Sequence, residues 1–104
     1  AAVKAIEALD KCVGELMKKC EEEDITLLLT ADHGNSDTMV YPDGKPHTSH
    51  TGAPVPFCVF HPKLKDQKGE LSGQDFALMD VSPTVLHVLG IEQAPNFEGQ
   101  SIFK

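Results

Sequence analysis

The sequence predicts an α/β fold in which helices cover a sheet. Two patterns support it: an amphipathic stretch at 3.6-residue spacing leads directly into a continuous apolar run, and a second apolar run follows after a long polar interval. Ordinary globular composition agrees, with 40% hydrophobic and 24% charged residues in 104.

Residues 1 to about 23 read as a helix. Val3, Ile6, Leu9, Val13, Leu16, Met17 and Cys20 line one face, and Lys4, Glu7, Lys11, Glu15, Lys18 and Glu22 the other. Glu7–Lys11 and Glu15 with Lys18 and Lys19 are favourably spaced pairs. No Ser, Thr, Asp or Asn caps the first turn, and the chain lacks an initiator Met, so the sequence is expected to be cut from something longer. The run Glu21-Glu22-Glu23-Asp24 leads into a turn, although its charge opposes the helix dipole. Ile25–Thr30 fits a strand buried on both faces, as in a parallel sheet. From Ala31 to Pro54 no periodicity is evident, and a structureless stretch of that length is usually functional. Val55–Phe60 is a second strand, at an edge because of Pro54 and Pro56. Residues 61–78 read as a surface excursion. A short helix follows, with Ser82 as N-cap, Pro83 at the first position, Val85, Leu86 and Leu89 buried, and Gly90 just past the end. The tail from residue 92 is irregular.

Charge excludes some functions. Sixteen acidic residues against nine basic ones give a net charge of −7, and every basic residue is lysine. No footprint exists for nucleic acid, and no arginine fork for a phosphate ester. No apolar run reaches the roughly 18 residues of a membrane span. Cys12, Cys20 and Cys58 have unrelated spacings, which fits reduced, mostly packed thiols and a cytoplasmic location.

Thr30-Ala31-Asp32-His33-Gly34-Asn35 follows the first strand, where ligands bind in open α/β sheets. A carboxylate and an imidazole suit Mn²⁺, Co²⁺ or Zn²⁺. Side chains of adjacent extended residues point apart, so Asp32 and His33 share one ion only if the chain turns, and Gly34 supplies that freedom. His50, seventeen residues after His33 and within His47-Thr48-Ser49-His50-Thr51, is a further candidate ligand. His61 and His87 read as structural, Asp37 and Asp43 as solvated loop carboxylates, and Asp43-Gly44 as a turn.

Together, Thr30-Ala31-Asp32-His33-Gly34-Asn35, His47-Thr48-Ser49-His50-Thr51, Pro54-Val55-Pro56-Phe57, the segment Asp80 to Gly90, and Glu98-Gly99-Gln100-Ser101 resemble the C-terminal part of cofactor-independent (bisphosphoglycerate-independent) phosphoglycerate mutases. The resemblance implies a fragment of an alkaline-phosphatase-like sheet, with residues 1–104 as an incomplete C-terminal part of the metal-binding domain. It implies interconversion of 3-phosphoglycerate and 2-phosphoglycerate through a phosphoserine. Two divalent cations, usually Mn²⁺ with Mg²⁺, Co²⁺ or Zn²⁺ as alternatives, would serve it, and no bisphosphoglycerate. Asp32 and His33 would bind the cation that holds the nucleophilic serine, His50 the other, with His47 and Asn35 as supporting residues. The serine, an Asp-x-x-x-His motif and the substrate-binding arginines have no match here, so the remainder of the parent enzyme is the implied partner and the chain alone is expected to be inactive. Another phosphomutase or phosphatase of the superfamily, or a non-catalytic metal-binding module, are the alternatives.

Overall fold

The structure is a computed structural model that describes residues 1–62 and 71–104. The chain is α/β: helix α1 (Ala2–Glu23), strand β1 (Leu27–Thr30), strand β2 (Phe57–Phe60), a short 3-10 helix (Leu78–Asp80) and helix α2 (Val81–Leu89). It divides into two compact units, residues 1–62 and 63–104.

In the first unit, α1 forms where the periodicity places it and starts at Ala1 without a side-chain cap. Lys19 pairs forward with Glu22 and Glu23, at 3.8 and 3.1 Å. Asp24 ends the helix in the left-handed region (φ 57°), and the Ile25 N–H returns to the Cys20 carbonyl at 2.8 Å. Asp tolerates that conformation better than most non-glycine residues. The Asp24 carboxylate also lies 3.3 Å from His61 Nε2, tying the helix end to the residue after β2.

The apolar stripe of α1 is open: Val3, Ile6, Leu9 and Leu16 are each more than half exposed, and Cys20 is the helix's buried residue. Periodicity reports which face can be buried, not whether the chain supplies the surface that buries it. Nor is β1 a parallel strand buried on both faces. It pairs antiparallel with β2, from Leu27 opposite Phe60 to Thr30 opposite Phe57, and its residues are half-buried or exposed. The chain between the strands turns back on itself and provides no crossover helix, so only antiparallel pairing is open to them. Pro56 stops the backbone ladder just before β2, and there the Thr30 hydroxyl donates to the Pro56 carbonyl at 2.9 Å. The thiols are free, but Cys12 and Cys58 are exposed rather than packed.

The second unit is organised by a buried carboxylate and a buried hydroxyl. Asp80 is 4% exposed and Thr84 fully buried. One Asp80 oxygen accepts the Ala77 N–H at 2.8 Å, the other the Gln100 N–H at 2.9 Å. Thr84 Oγ1 donates to the Asp80 carbonyl and accepts the Ile102 N–H at 3.1 Å. The tail, which has no helix or strand of its own, thereby satisfies its backbone through side chains of α2 and its entry turn. Gly99 lies so close to the Met79 carbonyl that a Cβ would overlap it. α2 starts at Val81 with Asp80 as N-cap, two residues before the expected Ser82, because Asp80 is already held by the tail. Gly90 closes the helix at φ 72°, as expected. Expected burial is only partly met, since Pro83 and Thr84 are buried while Val85 and Leu89 are exposed. His87 contacts the edge of Phe103, with ring centroids 6.0 Å apart. No described helix is long and apolar enough to cross a membrane.

Thr84→Val keeps the shape of the side chain but strands the Ile102 N–H. It is expected to lower stability by about 1–3 kcal/mol in thermal unfolding, whereas Ser82→Ala, at the position the sequence marks as cap, changes it by under about 0.5 kcal/mol.

Candidate metal centre

The register of β1 and β2 decides where the site lies. Thr30, the carboxyl end of β1, stands beside Phe57, the start of β2, so the segments 31–35 and 51–55 leave the same end of the sheet. They pair again at once. Gly34 N–H donates to the Thr51 carbonyl at 3.2 Å, and Thr51 N–H returns to the Gly34 carbonyl at 2.8 Å. Further out, Val40 pairs with Pro46, and the His47 N–H donates to the Met39 carbonyl at 3.0 Å. Tyr41-Pro42-Asp43-Gly44 forms the tip, closed by Gly44 N–H to the Tyr41 carbonyl (2.9 Å), with Gly44 at φ 85°. Asp43 accepts the Lys45 N–H at 3.0 Å, so the turn expected there is present. The interval from Ala31 to Pro54 is therefore a folded antiparallel arm, not a structureless loop. Its pairing was hidden because most of it is made by isolated bridges and side chains, which leave no alternation in the sequence.

Gly34 has a different task from the one its sequence context suggests. Its φ is not positive. A Cβ at this position would overlap Thr51 Oγ1 and stand 2.7 Å from Asp37 Oδ1 and 3.1 Å from Ala53 Cβ. Glycine is required because the opposite strand of the arm passes directly over it.

This crossing brings the expected ligands together. His33 precedes Gly34 and His50 precedes Thr51, and their rings stack with centroids 3.6 Å apart and planes 15° apart. His33 Nδ1 lies 3.0 Å from the Gly34 carbonyl. A carbonyl only accepts, so Nδ1 carries the hydrogen in the neutral ring and Nε2 keeps its lone pair. Asp32 Oδ1 lies 3.5 Å from that Nε2. A cation bound at about 2.0–2.2 Å from each would span this separation, so the donors fit a divalent ion. Lone pairs of imidazoles lie in the ring plane, and nearly parallel rings do not aim them at one point. The stacked rings are therefore not arranged to share one cation. Among the described residues, no three His, Cys, Asp or Glu side chains gather as a cage for one ion.

The supporting residues are also placed. Asn35 Nδ2 donates to the Ser49 carbonyl at 2.9 Å, on the other side of the arm. His47 packs against Tyr41, ring centroids 4.6 Å apart, with its Nδ1 buried and unpartnered. Sequence reading missed Asp37, Thr51 and Tyr41. Asp37 Oδ1 accepts the Thr51 hydroxyl at 2.7 Å, and the Tyr41 and Ser49 hydroxyls lie 2.9 Å apart. The Thr51 hydrogen bond foremost, partly opposed by desolvation and helped by smaller contributions from backbone N–H groups and Thr38, holds the Asp37 carboxyl below its ordinary value. A cavity of about 240 Å³ beside α1 is lined by Ala2, Val3, Ile6, Glu7, Ser36 and Met39, and none of the candidate ligands lines it.

A carboxylate and paired imidazoles thus stand at the end of the strand pair, donor types that suit a divalent cation. The chain belongs to the Metalloenzyme superfamily, whose family model matches residues 1–93. It is 43% identical over 102 residues, 98% of its length, to the 2,3-bisphosphoglycerate-independent phosphoglycerate mutases of Moorella thermoacetica and Brugia malayi. It is 45% identical over 100 residues, 95% of its length, to that of Clostridium perfringens strain SM101. It spans about a fifth of the length of these curated relatives, 19% or 20% of each.

Gly34→Ala is expected to destabilise the chain by about 1–3 kcal/mol. Gly14→Ala, mid-helix with open space around it, is expected to stabilise it by about 0.5–1 kcal/mol, and thermal denaturation reads both. The Thr51 hydroxyl donates more strongly to the ionised Asp37 carboxylate than to the protonated acid, which is why it lowers the Asp37 pKa. Its contribution is therefore fully present above the ordinary carboxylate range and lost as pH falls through the lower folded value. A carbon-13 carboxyl titration should show Asp37 ionising at lower pH in the wild type than in Thr51→Val.

Proposed function

We propose that this chain is the metal-binding segment of a bisphosphoglycerate-independent phosphoglycerate mutase, an isomerase that interconverts 3-phosphoglycerate and 2-phosphoglycerate through a phosphoserine intermediate in the cytoplasm. The observation that carries this reading is the nearly parallel His33–His50 pair beside Asp32. Identity of 43–45% to mutases along almost the whole chain supports this enzyme over other phosphomutases or phosphatases.

Asp32 and His33 would hold one cation and His50 the other, with Mn²⁺ the best match to mixed oxygen and nitrogen donors. Bound cations supply charge neutralisation at the oxygens of the transferring phosphoryl group. The chain's own residues prepare the donors. The Gly34 carbonyl fixes the His33 tautomer, leaving Nε2 basic. Asn35, by gripping the Ser49 carbonyl, holds the strand that carries His50. Phosphoglycerate is the substrate, and bisphosphoglycerate is not needed. The nucleophilic serine, the remaining metal ligands and the substrate-binding cations come from the rest of the enzyme.

Two measurements test this. The isolated chain with Mn²⁺ should not turn over 3-phosphoglycerate and should bind Mn²⁺ more weakly than about micromolar, since each ion finds one or two donors here. Turnover, or tight binding abolished by His33→Ala, contradicts the reading. In the complete enzyme, His33→Ala and His50→Ala should each lower kcat/KM at least about 100-fold, and wild-type activity in either contradicts the assignment.

A further inference from the structure

Both chain neighbours of His50 are clamped. Before it, Ser49 is held by Asn35 at its carbonyl and by Tyr41 at its hydroxyl. After it, Thr51 is bonded in both directions to the Gly34 backbone. The Thr51 hydroxyl donates to Asp37 Oδ1 at 2.7 Å and accepts the Ala53 N–H at 3.4 Å. A hydroxyl with both roles filled is confined to one rotamer, and a β-branched side chain passes that constraint to its backbone. Asp37 is fixed in turn by the Thr38 hydroxyl, 3.3 Å from its other oxygen. The Thr51 and Asp37 oxygens occupy the space that a Cβ on Gly34 would take, so the contact sits at the crossing point of the arm, one residue from each histidine.

Resting on the reading that His33 and His50 hold the cations, we infer that Thr51 and Asp37 are positioning residues of that site. Their hydroxyl–carboxylate contact fixes where His50 stands relative to His33. Neither residue binds metal or substrate in this account. Each acts through the backbone on the spacing of two imidazoles, and partners of this kind are commonly worth 10–100-fold in metal affinity.

The test uses the complete enzyme and reads Mn²⁺ affinity by electron paramagnetic resonance of free Mn²⁺, with kcat and KM at saturating Mn²⁺ alongside. Thr51→Val and Asp37→Ala should each raise the Mn²⁺ dissociation constant about 10–100-fold. The KM for phosphoglycerate should be unchanged, and kcat should recover when Mn²⁺ saturates. Thr51→Ser, which keeps the donor, and Asp37→Asn, which keeps an Oδ1 acceptor, should stay within about twofold of wild type. Should Thr51→Val not fold, Asp37→Ala against Asp37→Asn makes the same comparison at an exposed residue. Wild-type Mn²⁺ affinity in Thr51→Val and Asp37→Ala, with affinity lost in His50→Ala, overturns the positioning role alone. Equal losses in Thr51→Ser and Thr51→Val overturn it too, because packing and not the hydroxyl would then matter. Wild-type affinity in both His33→Ala and His50→Ala overturns the cation site on which the role rests.

Discussion

Two backbone hydrogen bonds, from Gly34 to Thr51 and back, determine the shape of the first unit's functional end. They close an arm whose two sides would otherwise be free to separate beyond the sheet. The closure works only because residue 34 has no side chain, so that Thr51 and Asp37 can fill the space above it. From this crossing follow the stacked imidazoles, the tautomer of His33, and the short path from Asp32 to Nε2. The sheet sets the direction. The crossing sets the distances.

The second unit solves a related problem with different chemistry. Its tail has little regular structure, so backbone N–H groups must find partners elsewhere. A buried carboxylate and a buried hydroxyl, Asp80 and Thr84, provide them at Gln100 and Ile102. In both units a short polar side chain next to a crowded glycine does work that a longer ladder would do in a larger sheet. That economy suits a chain with only four residues in each described strand.

Several features were legible in the sequence for identifiable reasons. The α1 periodicity, the positions of two apolar strands, Gly90 and the Asp43-Gly44 turn are all local, and local patterns survive without knowledge of neighbours. Asp32, His33 and His50 stood out as candidate ligands because carboxylate and imidazole share one polar interval after a strand, and the arm brings the two imidazoles together. Exposure was not legible, since the stripe of α1 and the faces of β1 depend on surfaces that composition does not reveal. The arm was not legible either: one pair of residues seventeen apart carries its closure, and no periodic signal marks it. Asp37 looked like a solvated carboxylate because its partner, Thr51, is fourteen residues away. Gly34 was read as freedom for a turn after His33, whereas its need is steric contact and not a positive φ.

The central claim is that one crossing of the arm places His33 and His50 as a pair of neighbouring cation ligands. Paramagnetic broadening of the imidazole resonances of this chain by dilute Mn²⁺ tests it most directly, since broadening detects even weak binding. His33 and His50 should broaden together at the lowest Mn²⁺ concentrations. His61, beyond the opposite end of the strand pair, should keep its linewidth. Broadening of His33 without His50, or of all three alike, would contradict the account.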